Sequence, residues 1–238
     1  MYVLPSEQKS AFANSRMRFH PGLTLTARGF LFDMDGTLVN SAAIVERVWS
    51  GFADRYGLDP ADIMPVAHGR RAIETVRIFA PHLADPEAEA QKLEDAERLD
   101  TDGLVPIAGA AALIGGIPAD RWALVTSADA PLARARLAAC GLPIPRVFIT
   151  AESVMHGKPD PECYRLGAAG LGFDARDCAA FEDAAAGLTA AGAAGAKVIA
   201  IASTQSAGAL ERQGQLWVPD LADLRVTPDG DWFRLTHR

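Results

Sequence analysis

Cysteine is scarce in this 238-residue chain, with only Cys140, Cys163 and Cys178, an odd number and no CxxC pair. That pattern excludes a disulfide framework and a thiolate metal cluster, leaving three ordinary thiols. Basic residues are outnumbered, 23 Lys and Arg against 30 Asp and Glu, for a formal charge of −7. Affinity for nucleic acid depends on cations that neutralise phosphates, so this balance speaks against a nucleic-acid partner. Small phosphorylated ligands stay open, because one bound metal ion reverses a local field. The five histidines form no HxxxH pair, and a zinc site is not expected. No apolar run approaches the roughly 20 residues that cross a bilayer. The N-terminus also lacks a charged-then-apolar signal pattern. A cytoplasmic location without a membrane partner, as a monomer or weak homo-oligomer, is the expectation.

Hydrophobic residues make up 49% of the chain and charged residues 22%, the composition of a globular protein. The length suits one domain carrying an inserted module. Positions 1–27 are polar, contain Pro5, Pro21 and Gly22, and show no sustained period; they read as a loosely attached extension, with Met17 an alternative start. Gly29-Phe30-Leu31-Phe32 is a short apolar run of the kind found in fully buried strands. From Ala42 to about Leu104 the period becomes helical, with Ile44, Val45, Val48, Trp49 and Phe52, then Ile73, Val76 and Phe79, and a Glu- and Ala-rich surface helix over Glu87–Leu99. After Pro106, apolar strands at Trp122–Thr126, Arg146–Ile149, Cys178–Phe181 and Ala196–Ile201 alternate with helices. This alternation predicts an α/β fold with a doubly wound parallel sheet. The division expected is an extension over 1–27, a core over 28–42 and 105–238, and an inserted all-helical cap over 43–104.

Four strand ends carry polar groups. Asp33 and Asp35 follow the first run in Asp33-Met34-Asp35-Gly36-Thr37, where two carboxylates can cap a helix or hold a divalent cation through hard oxygen ligands. Thr126 and Ser127 follow the second run and can cap the next helix or hold a phosphate oxygen at its N-terminus. Lys158, between Gly157 and Pro159, is either a solvated lysine or a fixed positive charge aimed into a pocket. Glu182 and Asp183 follow the fourth run and either cap a helix or complete a metal site. Strand ends of an open α/β sheet are where such sites form.

In this order the four motifs resemble the haloacid dehalogenase superfamily, and the likeness runs from about Arg28 to the end. FDMDGTLVNS, the His68-Gly69-Arg70 segment, VTSADAPLARARL, GKPDPECY and FEDAAAG are most similar to its phosphoglucomutase-like branch of sugar phosphatases, acting on hexose, hexitol, deoxyglucose or glycerol phosphates. The resemblance implies a Rossmann-like core and Mg2+-dependent hydrolysis of small sugar or polyol phosphates. It implies Asp33 as nucleophile, forming an aspartyl-phosphate, and Asp35 as acid and base. Magnesium would be held by Asp33, the Asp35 main-chain carbonyl and Asp183, with Glu182 bound directly or through water. Thr126 or Ser127 and Lys158 would bind phosphoryl oxygens, with Thr37 less closely tied to the site. His68 and Arg70, or equally Arg71, would reach the sugar from the cap. Two other readings share these motifs: a β-phosphoglucomutase-type mutase, and a relative that binds a phosphate ligand without turning it over.

Overall fold

The computed structural model describes residues 18–238. The strands are β1 (Thr24–Ala27), β2 (Gly29–Phe32), β3 (Val39–Asn40), β4 (Val105–Pro106), β5 (Trp122–Val125), β6 (Val147–Ile149), β7 (Cys178–Glu182), β8 (Lys197–Ile201), β9 (Trp217–Val218), β10 (Leu224–Asp229) and β11 (Trp232–His237). The helices are α1 (Ala42–Tyr56), α2 (Pro60–Ala67), α3 (Ala72–Phe79), α4 (Pro86–Leu99), α5 (Ala110–Gly115), α6 (Ala130–Ala139), α7 (Glu162–Gly170), α8 (Ala185–Ala194) and α9 (Ala207–Arg212).

The apolar runs have become five strands of one parallel sheet, ordered β6-β5-β2-β7-β8-β9, with β6 at one edge and the short β9 at the other. Such runs suit strands buried on both faces. Alternate residues serve opposite layers. Phe30, Phe32, Leu124 and Phe181 pack with Leu113 of α5 and Leu137 of α6. Leu31, Ala123, Val125 and Ala180 pack with Tyr164 of α7 and Ala191 of α8. The fold is therefore the α/β architecture with a doubly wound parallel sheet that the alternation predicts. The chain goes from β2 out to β5 and β6, then crosses back to β7, so the carboxyl ends of β5, β2 and β7 border a topological switch point.

Helices α1 to α4 form a layer with its own core, including Trp49, Phe52, Ile63, Val76 and Leu93. Their entry and exit run together as a two-residue antiparallel ribbon, Val39 opposite Pro106 and Asn40 opposite Val105. The insertion thus leaves and rejoins the sheet at one place, beside the carboxyl end of β2.

Residues 18–27 depart from the expectation of a loose extension. Arg18 bridges to Trp217, and the Phe19 N–H donates to the Trp217 carbonyl at 2.8 Å. Phe19 and Ala27 are fully buried. Strand β1 pairs with β11 in a second, antiparallel sheet ordered β1-β11-β10. The hairpin β10–β11 presents an open edge, and β1 covers it, as unpaired edges require. Positions 1–17, with Met17, lie outside the described residues. No described helix is long and apolar enough to cross a membrane.

Candidate active site

Strand β2 ends at Phe32 and the chain turns sharply through Asp33–Thr37. The Gly36 N–H donates to the Val39 carbonyl at 2.7 Å, and the Leu38 and Val39 N–H groups converge on the Met34 carbonyl at 2.8 and 2.9 Å. Gly36 has φ +78, and a Cβ there would lie 2.0 Å from Asp183 Oδ2, so only glycine lets the turn approach that carboxylate. Neither aspartate caps the next helix, because the N-cap of α1 is Ser41. The Thr37 hydroxyl is buried without a partner among the described residues, so no hydrogen bond from it braces the turn.

Lys158 is 1% exposed and sits beneath this turn. Its ammonium donates to Asp33 Oδ1 at 2.6 Å, to Glu182 Oε1 at 2.7 Å and to the Val125 carbonyl at 3.2 Å. It is therefore a buried charge, not a solvated surface lysine. Glu182 uses its other oxygen, Oε2, to accept the N–H groups of Asp183 and Ala184, both at 2.8 Å. Asp183 is different: both of its carboxylate oxygens are buried with no partner among the described residues. Its main-chain carbonyl is held instead, by the Thr204 hydroxyl and the Gln205 amide, each at 2.9 Å.

Three carboxylates, Asp33, Glu182 and Asp183, thus bring oxygens within 4.8 Å of one another. Lys158 is the one ammonium among the described residues that bonds within this set, so with all three carboxylates ionised these four groups carry −2. Burial drives Asp183 well above the usual carboxylate range, with Glu182 and Asp33 adding to the rise. Burial also pushes Asp33 up to about 8, against the opposing pull of Lys158. Burial would depress Lys158, yet the charges of Asp33 and Glu182 outweigh it and hold the ammonium above its ordinary range. A divalent cation fits this set on two grounds: it cancels the surplus charge, and Asp183 offers hard oxygens with nothing else to bind. The Asp35 side chain stands outside the cluster. Its Oδ1 accepts from the Ser41 hydroxyl at 2.6 Å and from Arg136 Nη1 at 2.7 Å, leaving Asp35 its main-chain carbonyl as a possible ligand.

Above the cluster lies a cavity of about 70 Å³. Asp33, Asp35, Thr126, Ser127 and Arg136 line it from the sheet side, and Trp49, His68, Arg70, Glu94 and Glu97 from the helical layer. Thr126 and Ser127 do not cap α6, whose N-cap is Asp129. Thr126 Oγ1 accepts the Ala128 N–H at 3.1 Å, and the Ser127 hydroxyl donates to the Gly69 carbonyl at 2.8 Å, tying the helical layer to the sheet. Burial holds His68 below the ordinary imidazole range, against the pull of Asp35. The two arginines separate. Arg70 lines the cavity, whereas Arg71 donates to Glu74 at 2.8 Å and to the Val154 carbonyl, outside the cavity.

The site residues singled out in the sequence, except Thr37 and Arg71, therefore gather around the cluster or its cavity. Sequence reasoning missed Ser41, Arg136, Glu94 and Glu97. Arg136 had a local signal, a charge on a helix side whose neighbours Ala133 and Leu137 are buried. Glu94 and Glu97 had none, because α4 reads as a charged surface helix.

A family model described as haloacid dehalogenase-like hydrolase matches residues 27–195. Hexitol phosphatase A of Escherichia coli is 43% identical over 216 residues, covering 87% of this chain and 98% of that protein. Glycerol-1-phosphate phosphohydrolase 2 of Saccharomyces cerevisiae is 32% identical, covering 81% of each. The crystal structure of a β-phosphoglucomutase from Clostridium difficile superposes with a TM-score of 0.72 over 84% of this chain and 93% of that one, at 18% identity. That last likeness concerns the fold.

Proposed function

The chain belongs to the haloacid dehalogenase-like hydrolases and is a phosphoric monoester hydrolase, and from this premise we propose that it releases phosphate from small sugar or polyol monophosphates through an aspartyl-phosphate on Asp33. The observation that carries this reading is the Asp33 carboxylate at the floor of the cavity, fixed by Lys158 on one oxygen and set beside the unpartnered Asp183. Positions 28–42 and 105–238 serve as catalytic core, with 18–27 joined to it, and 43–104 as the substrate-selecting cap.

The Asp33 carboxylate attacks phosphorus in line, and the ester P–O bond breaks as Asp35 gives the departing alcohol a proton. A water then hands a proton back to Asp35 and attacks the aspartyl-phosphate, freeing inorganic phosphate and restoring both aspartates. Lys158, with Thr126 or Ser127, receives phosphoryl oxygens, and Arg136 with Ser41 orients Asp35. Mg2+, held by Asp33, Asp183 and the Asp35 main-chain carbonyl, would offset the repulsion between nucleophile and phosphate. Both Glu182 oxygens are already engaged, which favours its contact through water. His68 and Arg70 face the leaving group from the cap.

The test is a phosphate-release screen over hexose, hexitol, deoxyhexose and glycerol phosphates, with and without Mg2+. Release that requires Mg2+ and is lost in Asp33→Asn is expected. Conversion of glucose 1-phosphate to 6-phosphate with no release from any ester would overturn it in favour of the mutase.

A further inference from the structure

Glu94 and Glu97 lie three positions apart on α4 and therefore share one helix face. That face turns into the cavity that ends on Asp33. Glu97 is bound: its Oε2 accepts from Arg136 Nη2 at 2.7 Å, and the same guanidinium holds Asp35 through Nη1 at 2.7 Å. Glu94 is not. It is half-buried, and among the described residues its carboxylate has no ion pair and no hydrogen bond. The charges that act on it most are acidic, Asp129, Glu97, Glu152 and Asp95; the same cavity also holds His68, Arg70 and Arg136, the last already paired with Glu97 and Asp35. An acid held among acids costs stability. Trp49, Val45 and Leu132 give the same cavity an apolar wall, and the combination of apolar wall and convergent polar groups is that of a small-molecule subsite.

We propose that Glu94 is a specificity-determining residue: with Glu97 it receives hydroxyl groups of the leaving alcohol and repels leaving groups bearing a second anion. The substrates are then monophosphate esters of uncharged polyols, and phosphorylated carboxylic acids are turned away. This rests on the phosphatase reading of the site. A like charge at ~5 Å in a partly screened site discriminates by roughly 10²-fold. A hydroxyl in the same place donates a hydrogen bond to the carboxylate instead. Burial and the surrounding acids push Glu94 up to about 7, so it both donates and accepts near neutrality.

Two matched substrate pairs test it, each differing only by CH2OH against carboxylate: glycerol 1-phosphate with 3-phosphoglycerate, and sorbitol 6-phosphate with 6-phosphogluconate. The full chain is expected to prefer the polyol member by roughly 10²-fold in kcat/KM. Glu94→Gln is expected to cut that preference at least about tenfold, and Glu94→Ala to raise KM for the polyol with a smaller change in kcat. The preference of the parent protein should widen from pH 6 to pH 8, where the carboxylate competitor stays ionised, and the Gln variant should show no such slope. Circular dichroism checks that the variants are folded, and Glu94→Asp should restore part of the preference. An unchanged ratio in a folded Glu94→Gln overturns the inference. So does Asp33-dependent hydrolysis of p-nitrophenyl phosphate with no release from either pair, which would leave the phosphatase reading standing. No hydrolysis of any ester, p-nitrophenyl phosphate included, overturns both.

Discussion

Replacing Lys158 by methionine keeps the aliphatic stem and removes a buried ammonium that joins Asp33 at 2.6 Å and Glu182 at 2.7 Å. In the folded variant three carboxylates would share a buried site with no countercharge. Breaking a buried ion pair by deleting one partner costs about 3–5 kcal/mol, because the remaining charge stays desolvated. For a chain of this length each kcal/mol moves Tm by about 2–4 °C, so the melting temperature should fall by about 6–20 °C. Lys158 is held above its ordinary value of 10.5 in the folded protein. Its own ionisation is therefore complete below pH 10.5 and fades only as pH rises through the folded value, while Asp33, raised to about 8, ionises fully only above that, so about pH 9 is the plateau for the pair. The assay is thermal unfolding by circular dichroism at about pH 9 in EDTA. The double variant Lys158→Met/Glu182→Gln should recover part of the loss, with a coupling of about 0.5–3 kcal/mol. A Lys158→Met protein melting within about 2 °C of the parent would refute the buried-charge reasoning.

Asp33→Asn should lower kcat for phosphate release by about 10⁴-fold or more, and Asp35→Asn by about 10²–10⁴-fold, both read from steady-state kinetics with folded protein. Mg2+ at about 100 times its dissociation constant should add about 2.7 kcal/mol and raise Tm by about 5–11 °C. Asp183→Asn should remove that gain while raising Tm in EDTA, since it deletes an unpartnered buried carboxylate. Glu94→Gln should leave stability unchanged at pH 4.5 and raise it at pH 8. The Glu94 carboxyl is raised from 4.5 to about 7, so the parent loses stability across that window as only its unfolded state ionises freely. Solvent screening of this half-exposed group reduces the difference to about 1 kcal/mol, or about 2–4 °C in Tm.

Five strands of the main sheet were legible because burial leaves a local trace, a short apolar run ended by polar residues, whereas the sixth, β9, is two residues long and leaves none. Asp33, Lys158 and Asp183 were legible for the same reason, each standing at or near such an end. The hairpin β10–β11 and its partner β1 were not singled out. Leu224–Asp229 is exposed along much of one side, and Thr24–Ala27 is too short to show a period. Arg70 and Arg71 are neighbours of one chemistry, and only packing against Glu74 and the loop before Lys158 sends Arg71 away from the cavity.

The sequence by itself determined the sheet, the inserted helical layer and the order of the strand ends, since these follow from residue type and spacing within short windows. Tertiary structure decided which charges meet. Lys158 lies 125 positions from Asp33, and Arg136 lies 39 positions from Glu97. Whether a carboxylate is neutralised, left bare like Asp183, or turned aside like Asp35 depends on distances of a few ångströms between such remote segments. Coulomb energies in a buried site change by kcal/mol over that range, and no local pattern encodes them.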